Sequence, residues 1–391
     1  HHMVMVLTAG ITISMFFLGS VADKRGVRNT LLMAFGFLLV GRIVWAAAPA
    51  VFPATGLWSN MHLMTMLGIV LVVIGYGMYQ PAAYAGVRQF TSPKTAAMGY
   101  AMLYALMNLG GWLPSFFSKV RENIGITGAF WVYTGITLVA LICTFLILTR
   151  KVEKAAIERA QKENEEEKAK VAAEDEKKAE EKVVEEDPDK RIPVHLWITL
   201  AIIVGVVYLL PPPYRYYTWG LMGAVVALLF GIRVWGRAAY RWLAHHPLAN
   251  TKFFFFIFAL IPVQTLFTYN WLILPQYLER AFEGGFVSDN FEIFANMNPI
   301  LIFVAVPIVT ALTMKKKVYN MMIIGTFVMA APAFFLAFGT SLWTLLAYLL
   351  VMTIGEAMWQ PRFLQYAAEI APKGRTGAYM GVAQFPWFLT K

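Results

Sequence analysis

Cysteine is almost absent: the 391 residues contain one, Cys143, inside an apolar run, which excludes a disulfide framework and a thiolate-ligated metal site. Charge is scarce as well, at 14% of residues against about 25% in ordinary soluble domains. Acids are scarcer still, since 15 of the 23 lie within residues 150–191 together with 12 of the 33 bases. The rest of the chain is therefore basic and nearly free of carboxylates, and the net charge of +10 reads as a topology signal rather than a nucleic-acid footprint. No nucleophile elbow, phosphate-cradling loop or ligand-spaced cluster is present, so no enzyme activity, cofactor or metal is expected. His62, His195, His245 and His246 fall near expected helix ends, where a solvated or interfacial role fits, and adjacent His245 and His246 do not share a helix face.

What fills the chain instead is apolar: 59% of residues are hydrophobic, and the mean hydropathy is +0.58. Twelve runs long enough to cross about 30 Å of hydrocarbon recur at roughly 4–20, 30–48, 62–83, 97–117, 127–148, 194–210, 216–235, 253–277, 294–313, 319–338, 341–361 and 377–391. Their continuous apolarity predicts helices, because barrel strands would alternate. Assigned alternately to the two sides, the loops place Lys24, Arg25, Arg28, Arg88, Lys94, Arg233, Arg237, Arg241, Lys252, Lys315, Lys316, Lys317, Arg362, Lys373 and Arg375 on one face. Only Lys119, Arg121, Arg215 and Arg280 fall on the other. That bias predicts a cytoplasmic basic face and an external first residue. His1-His2 carries no basic leader or cleavage site, so the expectation is a chain with its first helix absent and its last helices truncated at Lys391.

A repeat organises these runs. Residues 74–81, IGYGMYQP, return at 354–361 as IGEAMWQP, and each copy is followed by a Pro-Lys pair, Pro93-Lys94 and Pro372-Lys373. Duplicated bundles build carriers whose halves rock about a site at the bilayer midplane.

Several side chains in or beside these runs are candidates for chemistry. The loop Gly19-Ser20-Val21-Ala22-Asp23-Lys24-Arg25-Gly26-Val27-Arg28 combines two glycines with an acid among bases, a composition suited to a charge lock on neighbouring helix ends. Tyr104 and Asn108 are four apart and share a helix face. Asn108 serves either a solute or interhelical glue, and Asn298, beside Pro299, either a solute or the carbonyls that proline frees. Glu356 stands mid-run, where a carboxylate costs about 2.5–3.5 kcal/mol and therefore needs a partner or a wet cavity. Pairing with Arg362, six residues on, is its structural alternative, and Arg42 is a second intramembrane charge, suited to a cavity or to snorkelling.

The Gly19–Arg28 stretch resembles the G-x-x-x-D-x-x-G-R/K loop of the major facilitator superfamily. Gly75-Tyr76-Gly77-Met78-Tyr79-Gln80-Pro81 resembles G-x-G-x-x-K-P of the proton-coupled oligopeptide transporters, with Gln80 where that family carries lysine. Tyr104…Asn108-Leu109-Gly110 is similar to its Y-x-x-x-N-x-G, Asn298-Pro299…Pro307 to its N-P…P, and Gly355-Glu356…Pro361…Ala371-Pro372 to its G-E…P…A-P. The resemblance implies an all-α membrane protein of major facilitator fold, with two six-helix halves and two extra helices between them. The implied organisation is an N-terminal half at 1–149, a charged cytoplasmic linker at 150–192 without an apolar stripe, the extra pair at 193–240 and a C-terminal half at 241–391. It further implies proton-coupled transport of di- and tripeptides by alternating access. Tyr104, Asn108, Asn298, Glu356, Gln80 and Arg362 would hold the solute, Glu356 would carry the coupling proton, and Gly19, Asp23, Lys24, Arg25, Gly26 and Arg28 would form the gate. The expected setting is a monomer in a bacterial inner membrane, with the bilayer, protons and a peptide-like solute as partners. Gln80 favours the alternatives, a carrier of a drug, amino-acid derivative or siderophore-like compound, or else a non-transporting scaffold.

Overall fold

A computed structural model describes residues 2–113, 117–172, 191–209, 211–212, 215–216, 218–220, 223 and 233–390. Among the described residues every regular element is helical, as lipid demands of a backbone that must satisfy its own hydrogen bonds. Seven helices there are long and apolar enough to span: Val27–Val51, Asn60–Phe90, Asn123–Ile147, Thr251–Asn270, Phe291–Thr313, Val318–Ala337 and Leu342–Ile370. The other five expected runs are not among these seven. The first is the 17-residue His2–Leu18, 194–210 becomes the 16-residue Val194–Leu209, and 216–235 lies mostly outside the described residues. Pro93–Trp112 has 20 residues but includes Lys94, Tyr104 and Asn108, and 377–391 is split into Thr376–Ala383 and Phe385–Leu389.

The chain forms two compact units, His1–Glu181 with Leu260–Lys391, and Lys182–Ala259. The first begins with α1 (His2–Leu18), α2 (Val21–Arg25), α3 (Val27–Val51), α4 (Asn60–Phe90), α5 (Pro93–Trp112), α6 (Phe117–Ile147) and α7 (Arg150–Ala172). Gly26, at φ 80°, turns the chain from α2 into α3. Ser59 caps α4 by accepting the His62 N–H, and Ser92, Pro93 and Thr95 start α5 with a capping box and a proline. α3 and α4 pack so tightly that a Cβ on Gly41 would lie 2.8 Å from the Gly68 carbonyl oxygen. Arg42 does not snorkel: from α3 it donates to the Tyr133 carbonyl at 3.2 Å and the Thr137 hydroxyl on α6, and to the Tyr76 hydroxyl on α4 at 3.4 Å.

α7 corrects one expectation. Its inward face carries Ala156, Ile157 and Ala160 at three-to-four spacing, with Ala160 buried against the bundle, and the helix packs on α4. Alanine adds so little hydropathy that this stripe is faint in the sequence. Glu153 accepts the Arg28 N–H at 3.0 Å, pinning α7 to the start of α3. The remainder of the linker, 173–190, lies outside the described residues.

The Lys182–Ala259 unit contains α8 (Val194–Leu209), α9 (Arg233–Ala244) and α10 (Thr251–Ala259). Its histidines hold turns. His195 Nε2 lies 2.8 Å from the Leu248 carbonyl, and His246 is buried rather than solvated, accepting the Leu248 N–H at the start of a short 3-10 turn.

The first unit resumes with α11 (Ile261–Leu272), α12 (Leu274–Ala281), α13 (Met297–Thr313), α14 (Val318–Ala330), α15 (Leu342–Ile370), α16 (Thr376–Ala383) and α17 (Phe385–Leu389). The sequence repeat falls on α4 and α15, each with an internal proline, Pro81 and Pro361. Each also packs on the preceding helix across paired glycines, since a Cβ on Gly325 would lie 3.0 Å from the Gly355 carbonyl oxygen. A dry seam of Ala101 and Ala105 from α5, Ile302 and Val306 from α13 and Ala357 from α15 then brings early and late helices together. Overpacking such a contact costs about 1–3 kcal/mol. Gly355→Val, which drives a side chain into the Met329 backbone, is expected to lower the thermal midpoint in detergent by several degrees. Gly36→Ala, facing open space on α3, should leave the midpoint unchanged.

Candidate functional site

The dry seam borders a polar cavity of about 210 Å³, walled by α4, α5, α11, α13, α15 and the segment that follows α16. Glu356 is its centre: 3% exposed, it projects from α15 one residue before Ala357 of the seam. Its Oε1 accepts the Tyr104 hydroxyl at 2.5 Å, and its Oε2 accepts Asn298 Nδ2 at 2.9 Å. Asn298 also donates to the Thr353 hydroxyl at 3.1 Å. The carboxyl group is thus held from α5 on one side and α13 on the other, which answers the desolvation of an acid buried among apolar helices.

Five of the six expected solute residues line this cavity: Gln80, Tyr104, Asn108, Asn298 and Glu356. Asn108 donates back to the Tyr104 carbonyl at 3.0 Å, and Gln80 donates to the Tyr84 hydroxyl at 3.0 Å. Arg362 is not there. Six residues on a helix turn the side chain about 240° away, so its guanidinium donates to Gln365 Oε1 at 2.9 Å and the Thr313 carbonyl at 2.8 Å instead of meeting Glu356. The wall also contains Tyr84, Gln264, Phe267, Gln360, Gln384 and Trp387, none singled out as solute-binding in the sequence. For Gln360 a signal existed, because it is the repeat's counterpart of Gln80. An isolated amide in an apolar run, as at Gln264 or Gln384, gives none that separates binding from helix glue.

The gate residues divide between two tasks. Asp23 Oδ1 accepts the Gly377 N–H at 2.8 Å and Oδ2 the Ala378 N–H at 2.9 Å, so the carboxyl group caps α16. Gly19 permits this approach, as a Cβ there would lie 2.8 Å from the Gly377 carbonyl oxygen. Lys24 and Arg25 are exposed, and Arg28 turns to its own end of the bundle, donating through Nε to the Leu148 carbonyl at 2.5 Å. The cationic part of the lock is Arg88 at the end of α4, which donates to the Ala371 carbonyl at 2.9 Å, the Thr376 hydroxyl at 3.0 Å and the Ala368 carbonyl. The basic end is therefore closed.

With this geometry in place, comparison supplies the family. The model of the Major Facilitator Superfamily matches residues 1–390, and the chain belongs to that superfamily of multi-pass membrane transporters, which are not enzymes. A putative tartrate transporter from Agrobacterium vitis is 30% identical over 119 residues, 30% of this chain and 26% of its own length, so the chain matches about a quarter of that relative. The proton:xylose symporter XylE, solved with 6-bromo-6-deoxy-D-glucose, superposes at TM-score 0.58 and 15% identity, covering 99% of this chain and 76% of that one. A POT family transporter solved with 5-aminolevulinic acid gives TM-score 0.51 and 14% identity over 98% of this chain and 79% of its own. These structural likenesses establish the fold.

Burial raises the Asp23 carboxyl to about 6, against the lowering influence of the Gly377 and Ala378 N–H groups and of Arg375 and Arg88. A raised value means that the neutral form fits this contact better, so protonation favours the closed end. The gain is complete below about pH 4, the ordinary carboxyl range, and is lost as pH rises through about 6. Distances between spin labels at exposed Lys94 and Lys373 should therefore shift toward the closed population between pH 7.5 and 5. Asp23→Asn should flatten that dependence, and a slope unchanged in the variant would assign the titration to another group.

Proposed function

We propose that the protein carries small peptide-like solutes by alternating access, with Glu356 as the group that meets the solute's amine and couples it to a proton. The observation that carries this reading is the Tyr104–Glu356–Asn298 arrangement on the cavity wall. An acid held by donors from α5 and α13 has two ways to lose them, to a proton or to an ammonium group. Either would loosen the bond between α5 and α15 and so link occupancy to rearrangement of the halves. The same fold in a POT family transporter holds 5-aminolevulinic acid, a short molecule with an amine and a carboxylate. One proton crossing 100 mV supplies about 2.3 kcal/mol, enough for about 50-fold accumulation of a solute.

A second reading rests on the wall itself. Six carboxamides, Gln80, Asn108, Gln264, Asn298, Gln360 and Gln384, line the cavity, and no Lys or Arg does so among the described residues. That surface also suits an uncharged polyhydroxy compound, as in the xylose symporter neighbour.

Uptake into liposomes separates the two. An imposed inward proton gradient is expected to drive accumulation of a dipeptide, with Glu356→Gln lowering uptake at least tenfold and removing its pH dependence. Uptake that keeps its pH dependence in the variant would remove the coupling role from Glu356. Accumulation of pentoses or hexoses alone would favour the second reading.

A further inference from the structure

Among the described residues, two atoms in the cavity wall have no partner: Gln360 Oε1 and Gln384 Nε2 are buried and unbonded. Gln384, at the C-terminal end of α16, is 9% exposed, and both side chains line the cavity that contains Glu356. Three neighbouring amide nitrogens have partners within the protein: Gln80 Nε2 donates to Tyr84, Asn108 Nδ2 to the Tyr104 carbonyl and Asn298 Nδ2 to Glu356. On α4 the Gln80 Nε2 donates to the Tyr84 hydroxyl four residues along, whereas the matching position on α15 is Leu364, buried and without a polar atom. Proteins rarely leave a buried amide atom unpaired, and a binding site is one setting where the missing partner arrives with the ligand.

One lone acceptor and one lone donor on the wall of the same cavity complement a group that carries both an N–H and a C=O, which a trans peptide bond presents on opposite edges. A carboxylate offers no donor to Gln360 Oε1, and an ammonium group offers no acceptor to Gln384 Nε2. A peptide bond satisfies both. Gln360 also sits one turn after Glu356 on the same face of α15, so an amine at Glu356 would place the adjoining backbone near Gln360.

We propose that Gln360 and Gln384 form the subsite that reads the solute's peptide bond, with its N–H donating to Gln360 Oε1 and its C=O accepting from Gln384 Nε2. This rests on the peptide reading above, and it makes the two glutamines determinants of specificity.

Calorimetric titration of the intact protein with dialanine and with its ester analogue, in which oxygen replaces the peptide N–H, tests it. The wild type is expected to bind the ester about tenfold more weakly, the loss set by one unanswered hydrogen bond. Gln360→Met should bring dialanine to the ester's affinity and leave the ester unchanged. Gln384→Met should weaken both about tenfold and preserve their ratio, because both keep the carbonyl. Equal binding of dialanine and ester by the wild type would overturn the proposal without any variant, and so would an amide preference that survives Gln360→Met; in both cases the peptide reading stands. Binding of neither compound, with binding of an uncharged sugar, would overturn the peptide reading and the subsite together.

Discussion

A carboxyl group buried between helices from both ends of the chain sets the terms for the rest of this structure. Glu356 cannot be left unpaired in an apolar bundle, and the side chains that answer it, Tyr104 and Asn298, come from α5 and α13. Close approach of those helices to α15 is therefore needed, and the alanines of the seam supply it: Ala101 and Ala105 face Ile302, Val306 and Ala357 with no bulk to separate the backbones. The polar cluster and the dry seam are adjacent parts of one contact. A change in what the carboxyl group binds acts directly on a joint between the two repeats.

The closed basic end belongs to the same logic. Gly19 and Gly377 bring α1 and α16 close enough for Asp23 to cap α16, while Arg88 secures the C-terminal end of α15 by donating to the Ala368 and Ala371 carbonyls. These bonds join early and late helices at the basic end through Asp23 and Arg88, which suits the contact that the proposed alternating access would break and re-form. Within each half, by contrast, α3 on α4 and α14 on α15 pack through paired glycines along long apolar faces. Tightly packed halves joined at the basic end by a polar clasp suit the proposed alternating access.

Much of this was readable from residues alone, and the exceptions have physical causes. Polar groups stranded in apolar runs, such as Glu356, Asn298 and the Tyr104–Asn108 pair, announce themselves because lipid makes them costly, and the acid in a basic loop drew attention to Asp23. Arg362 was misplaced because motif proximity says nothing about angular position on a helix. Arg88 was counted as one loop base among many, its carbonyl partners lying some 280 residues away. The inner face of α7 is built from two alanines and a single isoleucine, Ile157, among many charges, too short a stripe to stand out, and Gln264, Gln384 and Trp387 look in sequence like any amide or aromatic within a membrane helix. Expected runs and observed helices differ in extent where a proline interrupts a helix, as at Pro386, and where a helix such as α1 is short.

The central claim is that Glu356 lies on a solute-accessible cavity wall, held by both halves. Modification of Glu356 by a carbodiimide and an amine, followed by mass spectrometry of its peptide, tests this most directly. The account predicts that Glu356 is labelled in the solute-free protein and protected by a saturating dipeptide. A Glu356 that no reagent reaches, or one labelled equally with and without any solute, would contradict it.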